Sequence, residues 1–146
     1  MISRREAREL ALQALYQVDL ADAADPARGL ALFWGHFNRG DEVDGFAREL
    51  VEGVLAQQEK IDALIGDATQ RWRLPRLSRV DLSILRLATF ELLGRPEIPA
   101  SVTINEAIEI ARRFGSDDSA AFVNGVLDAV AGVLGVRERE KPGRVE

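Results

Sequence analysis

The segment 98–128 constrains the fold more than any other part of this 146-residue sequence, because it predicts two helices joined by one tight turn. Its apolar residues recur at spacings of three and four, which places them on one face of each helix. Thr103 and Glu106 have the spacing of a capping box at the start of the first helix. Gly115 is expected to end that helix in a left-handed conformation, and Gly135 to end the second.

The same periodicity predicts which side chains of these two helices are buried. The predicted buried residues are Ile104, Ala107, Ile108, Ala111 and Phe114 in the first helix and Val123, Val126, Leu127, Val130 and Leu134 in the second. Ser116, Asp117 and Asp118 lie between the two helices. They are suited to cap the second helix, and the two carboxylates interact favourably with the positive end of its dipole.

A few residues of the second helix are not explained by packing. Phe122 lies about 90° from the centre of the apolar stripe at ~100° per residue. Asn124 and Asp128 lie one turn apart on the polar side. Gly125 and Gly132 lie opposite the stripe, where each costs roughly 1 kcal/mol relative to alanine. Glycine there fits close approach of another chain or a ligand, and it equally fits a tolerated substitution.

The first helix is predicted to carry a basic edge. Arg4 and Arg8 flank its apolar stripe on one side, and Arg5 and Tyr16 lie further round that side. Three positively charged arginines are electrostatically unfavourable near the positive end of the helix dipole. They either solvate the start of the helix or face an anionic partner.

The densest basic stretch is 71–79, RWRLPRLSR, which holds four arginines and no acidic residue. Arginine interleaved with an aromatic residue suits contact with RNA phosphates and bases. The alternative is that Trp72 belongs to the core and the arginines solvate a loop. We interpret Trp72 as a core residue and keep Arg71, Arg73 and Arg76 as candidates for RNA contact.

The middle of the chain predicts further helices. Pro26 is expected at the first position of a short aromatic helix, and residues 38–44 are expected to form a polar loop. A third helix is expected to run from Phe46, and a break in its apolar stripe near Gln58 divides the stretch into two helices.

The fifth helix is expected to follow a cap formed by Ser78 with Asp81 and to end before Gly94. It is apolar nearly all round, so it lies at the centre of the molecule or is covered by a partner on one side. Glu91 falls within its apolar stripe and therefore needs a buried partner.

Together these patterns predict an all-α protein of seven helices, since no stretch alternates as a strand does. Two three-helix groups are expected to join around the basic stretch 71–79. We accordingly predict an N-terminal helical subdomain over 1–76, a C-terminal helical subdomain over 77–135 and a charged, disordered tail over 136–146.

Composition argues for a binding protein rather than an enzyme. The sequence has no cysteine and a single histidine, His36, so we expect no thiolate chemistry, no metal site and no cofactor. It contains neither a phosphate-binding glycine loop nor a nucleophile-elbow motif. The net charge of -5 disfavours indiscriminate nucleic-acid binding. No apolar run is long enough to span a membrane, and we expect a cytoplasmic protein.

Three segments resemble the NusB family of transcription antitermination factors: SRREARELALQALYQ, RLSRVDLSILRLATFEL and IPASVTINEAIEIARRFGSDDSAAFVNGVLD. The resemblance covers residues 3 to about 134 in the order and spacing of the family. It implies two roughly perpendicular three-helix bundles. It also implies binding to the boxA element of nascent ribosomal RNA transcripts, together with the ribosomal protein NusE. The complex would form on elongating RNA polymerase with other Nus factors. The resemblance leaves open whether the free protein forms a homodimer, as some members do.

The resemblance also assigns site residues. The implied RNA-binding residues are Arg4, Arg5, Arg8, Tyr16, Asp118, Ser119, Phe122 and Asn124, beside the basic stretch. The sequence departs from the family at Glu6, where some members are basic, and at Phe90, where tyrosine is frequent. We therefore expect modest RNA affinity without NusE. We place the NusE contact on an exposed apolar side of the fifth helix, around Asp81, Leu82 and Leu85.

Two alternatives remain open. A similar helical domain precedes the catalytic domain of certain ribosomal RNA cytosine methyltransferases, but this sequence contains no such domain. The other alternative is a helical protein-interaction scaffold, which would show no sequence preference for RNA.

Overall fold

The computed structural model describes residues 4–21, 26–36, 41–69 and 77–136, and within these ranges it is all helix and turn. The helices are α1 (Arg4–Ala21), α2 (Pro26–His36), α3 (Asp41–Ala56), α4 (Gln58–Ala68), α5 (Arg79–Gly94), α6 (Ala100–Phe114) and α7 (Ser119–Leu134). This confirms the predicted all-α class and its seven helices. In the described part of the chain, no helix has the length and apolar character needed to cross a membrane.

Helix α5 lies at the centre of the molecule. It contacts α1, α3 and α4, which precede it in the chain, and α6 and α7, which follow it. Helices α1 and α3 pack extensively on each other, as do α6 and α7. Ten of the sixteen α5 residues are therefore buried, including the polar Ser83 and Thr89. The all-round apolar pattern of this helix is explained by burial within the chain itself. The perpendicular arrangement of two bundles stays a prediction.

The boundaries of α3 and α4 correct one prediction and confirm another. Helix α3 begins at Asp41, so the expected loop over 38–44 is wrong for its last four residues. Acidic residues there favour a helix start, since they face the positive end of the helix dipole. The predicted break is confirmed at Gln57, which separates the two helices and lies next to Gln58.

The predicted capping box at the start of α6 is wrong. The helix begins at Ala100, with Pro99 as its N-cap residue in an extended conformation. Thr103 and Glu106 therefore lie inside the helix, where their side chains reach other helices rather than the helix end. Proline fixes its own backbone and has no N–H to satisfy, so it suits the start of a helix. By contrast, the predicted cap of α5 is confirmed, since the Ser78 hydroxyl accepts from the Asp81 N–H at 3.0 Å.

Gly115 ends α6 for a different reason from the one predicted. Its φ of -95° and ψ of -169° are extended, so no left-handed conformation requires glycine there. A Cβ at this position would instead lie 2.6 Å from the Ser119 Cβ and 2.8 Å from the Ala111 carbonyl oxygen. Close packing of the turn between α6 and α7 excludes a side chain. Gly135 ends α7 as predicted, and it does so in the left-handed conformation, with φ of 71°.

The predicted core faces of α6 and α7 are largely confirmed. Ile104, Ala107 and Ala111 are buried on α6, as are four of the five residues predicted for α7. Ile108 and Leu134 are only partly buried, and Phe114 departs most from the prediction, because its side chain is 39% exposed. The unpredicted Ile110 is buried.

Candidate nucleic-acid interface

The start of α1 presents two of the predicted arginines to solvent. The Arg4 side chain is exposed, with its guanidinium carbon 5.6 Å from the centre of the Phe46 ring. The Arg5 side chain is 54% exposed. Its Nε and Nη2 donate to the two carboxylate oxygens of Glu106, each at 2.8 Å. Both arginines are therefore ordered by neighbouring helices and still accessible to an anionic ligand.

Arg8 differs from these two because it is only 4% exposed. Its Nε and Nη2 donate to the carboxylate oxygens of Glu91 at 2.8 and 2.7 Å. The Thr103 hydroxyl lies 3.5 Å from the same carboxylate. This confirms that Glu91 has a buried partner. The pair fixes α1 on α5, and a direct contact between Arg8 and RNA would require it to open.

Charged side chains also connect α1 with α6. Glu106, which binds Arg5, lies 4.0 Å from the Arg8 Nη1. Further along both helices, the Arg113 Nη1 donates to the Glu9 carboxylate at 2.8 Å. The hydrogen bonds from Arg5 lower the pKa of the Glu106 carboxyl. Long charged side chains thus bridge α1 and α6, and these ion pairs hold the basic edge of α1 in place.

The start of α7 forms a second group around an open cavity of about 240 Å³. The cavity is lined by Leu77, Ser78, Asp81, Ser116, Asp118, Ser119 and Phe122. Three predicted RNA-binding residues therefore share one cavity with Asp81, which was predicted to contact the protein partner. Within the group Ser119 is buried, and its hydroxyl accepts from the Ser116 N–H at 2.9 Å. This bond places Ser119 in the turn itself, while Asp118 is exposed and Phe122 is partly buried.

The exposed apolar side expected on α5 is absent. Leu85 is 0% exposed and Leu82 is also buried, since both pack into the core of the chain. That premise of the partner prediction is wrong. Asp81 remains accessible at the cavity, and its Oδ1 is buried without a hydrogen-bond partner in the described structure.

Two predicted RNA-binding residues take no part in the contacts described at the start of α1 or in the lining of the cavity at the start of α7. Asn124 is exposed on α7 and Tyr16 is partly buried on α1. The basic residues Arg71, Arg73 and Arg76, together with Trp72, lie outside the described residues. The contacts found at the start of α1 and at the cavity share no residue, and α6 connects the two groups.

Sequence reasoning missed the end of α6. Arg112, Arg113 and Phe114 are all exposed there. The sequence signal was present, because Phe114 is the last residue before Gly115 and so lies where a helix face leaves the core. Nowhere in the described ranges do His, Asp or Glu side chains group in a way that could hold a metal ion.

Comparison with known proteins assigns the chain to a family. The model of the NusB family matches residues 5–132. This chain belongs to the NusB family. The transcription antitermination protein NusB of Geobacter sp. (strain M21) is 49% identical over 146 residues, covering 94% of this chain and 100% of that protein. NusB of Myxococcus xanthus is 49% identical over 138 residues, covering 92% and 98% of the two chains.

Solved structures confirm the fold. T. maritima NusB matches with a TM-score of 0.82 at 38% identity, covering 90% of this chain and 92% of that chain. A structure of the antitermination factors NusB and NusE in complex with dsRNA matches with a TM-score of 0.79 at 24% identity, covering 89% and 96%. The second likeness shows a shared fold.

Family membership settles the functional class. The chain is a NusB-family transcription antitermination factor, and this class is not enzymatic. The matched relatives are covered almost completely and are named as antitermination proteins, which favours this class over the methyltransferase alternative.

Proposed function

We propose that this NusB-family chain binds boxA RNA of nascent ribosomal RNA transcripts together with NusE. It would act in the cytoplasm, on RNA polymerase and with other Nus factors. Family membership is the observation that carries the proposal. The NusB-type chain that shares this fold in complex with NusE and dsRNA supports it.

The distribution of arginine on α1 is consistent with RNA binding. Arg4 and Arg5 are exposed at the helix start, where they are available to phosphates. The ion pair between Arg5 and Glu106 is partly solvated, and pairs of this kind contribute little to stability. A phosphate can therefore replace the carboxylate at small cost. The overall charge of -5 opposes this binding, so we expect NusE to supply part of the RNA-binding surface.

The cavity at the start of α7 supplies the second part of the proposed surface. Phe122 is partly exposed there and offers an aromatic ring for base stacking. Asp118 and Asp81 line the same cavity, so the RNA and NusE contacts we propose would be adjacent.

The first test compares a boxA oligonucleotide with a scrambled one, with NusE present, by fluorescence anisotropy over a series of salt concentrations. We expect tighter binding to boxA. Replacing Arg4 and Arg5 together with alanine should weaken binding and lower the slope of log K against log salt by about 0.7 for each lost phosphate contact. Arg8 is left intact because its loss would destabilise the fold.

The matched control is Arg28→Ala, which changes an exposed arginine on α2. It should leave both affinity and salt slope unchanged. If the double variant behaves like this control, the basic edge of α1 is not part of the RNA surface. Equal affinity for boxA and scrambled RNA would instead favour the protein-interaction scaffold.

A further inference from the structure

The end of α6 carries an exposed basic and aromatic patch that the assignments above do not use. We define the α6-end patch as Arg112, Arg113 and Phe114. The Phe114 ring is 39% exposed. Phe122 and Ile108 are partly buried against the hydrophobic core, whereas Phe114 is not part of that packing. Core formation therefore does not account for an aromatic residue at this position.

The patch is ordered although it is exposed. The Arg113 guanidinium carbon lies 5.3 Å from the centre of the Phe114 ring, over its face. The same guanidinium donates to Glu9 on α1 at 2.8 Å, which holds it in place. Arg113 therefore supports one face of the ring, and the exposed remainder of the ring is open to a flat ligand. A cation over an aromatic face, next to an open aromatic surface, is suited to base stacking.

The position of the patch connects the two groups described above. Its Arg113 contacts Glu9, one helical turn beyond Arg5 on α1. In the other direction, Phe114 is followed directly by the turn that leads to Asp118 and the cavity. A ligand that reaches from the basic edge of α1 to the start of α7 would pass along α6.

We propose that the α6-end patch binds a single-stranded segment of the RNA, with one base stacked on Phe114 and one phosphate on Arg112. This rests on the proposed function, since it extends the surface through which the chain would bind boxA RNA. Arg112 is exposed and pairs with Glu109 at 2.7 Å, three residues away on the same helix. Such an exposed pair contributes little to stability, so a phosphate can displace the carboxylate.

The chemistry of the patch favours RNA over a protein partner. Its apolar surface is a single ring, whereas a specific protein interface buries about 800 Å² on each partner around an apolar centre. Base stacking needs only one aromatic face, and it tolerates any base because each base has a π-face.

The experiment uses the full chain with NusE and boxA RNA in which 2-aminopurine replaces one base at a time. Stacking quenches the fluorescence of this base. Phe114→Ala should abolish quenching at one position while leaving quenching elsewhere, and should weaken affinity by about fivefold or more. Arg112→Gln should lower the salt slope by about 0.7, as expected for one lost phosphate on a single strand. Leu32→Ala is the matched control, because Leu32 is an exposed apolar residue on α2.

Each outcome decides between the proposals. If the unchanged protein does not prefer boxA, the proposed function fails and the patch proposal fails with it. If it prefers boxA while Phe114→Ala and Arg112→Gln bind as Leu32→Ala does, only the patch proposal is overturned. Weaker NusE binding with unchanged RNA affinity would make the patch a protein contact and would also overturn it. Should Phe114→Ala lose helicity by circular dichroism, Phe114→Leu keeps the apolar volume and removes the π-face, so the same comparison is decisive.

Discussion

Replacing Glu91 with alanine leaves the Arg8 guanidinium buried without its carboxylate, and we expect the free energy of unfolding to fall by about 3–5 kcal/mol. The structure supports the upper half of this range. Both side chains are almost fully buried, with 5% and 2% exposure, and two hydrogen bonds join them. The nearest other carboxylate, that of Glu106, lies 4.0 Å from Arg8 and is already paired with Arg5.

The double replacement of Arg8 with methionine and Glu91 with leucine tests whether the two charges affect stability as a pair. An apolar pair of similar volume removes the cost of burying two charges, and such replacements are often neutral or stabilising. We therefore expect the double variant to be more stable than either single variant. The loss should be far from additive, because the two residues contact each other directly.

Urea unfolding followed by circular dichroism at 222 nm measures these differences. Glu106→Ala is the control, because it breaks a partly solvated pair and should cost no more than about 1 kcal/mol. A loss below about 1 kcal/mol in Glu91→Ala would refute the reasoning, since a fixed buried pair cannot be broken so cheaply. Additive losses in the double variant would equally show that the two side chains do not act as a pair.

Two further predictions concern glycine and pH. Gly125→Ala should stabilise the free protein by up to about 1 kcal/mol in the same unfolding assay, because a Cβ there meets nothing within 4 Å. Gly115→Ala should destabilise it by about 1–3 kcal/mol, because the Cβ would collide with Ser119; the opposite order would refute the packing of the turn. The pKa of Glu106 is lowered in the folded state, so its pairing with Arg5 stabilises the protein above its usual pKa of 4.5 and is lost as pH falls through the folded value. Glu106→Gln should therefore be less stable than the unchanged protein at pH 7, by less than about 1 kcal/mol, and equal to it in strong acid.

Helical periodicity was enough to predict the fold class, but it left open whether α5 is central or covered by a partner on one side. It was less informative about helix ends, because several signals compete there. Thr103 and Glu106 have the spacing of a cap, yet Pro99 starts the helix and leaves both inside it. Gly115 is the residue type expected at a left-handed cap, but glycine is needed there because the turn leaves no space for a Cβ. A local motif shows which residues can end a helix, whereas tertiary packing decides which of them do.

The arginines show the same limit for function. Sequence alone treats Arg4, Arg5 and Arg8 as one basic edge, because they lie close together on one helix. What separates them is a carboxylate 83 residues away, which draws Arg8 into the core and leaves the other two near solvent. An exposed arginine can exchange its carboxylate for a phosphate at little cost. A buried one cannot, since breaking its pair leaves an uncompensated charge in the interior. Burial therefore divides the basic edge into two arginines that are accessible to an anionic ligand and one that holds α1 against α5.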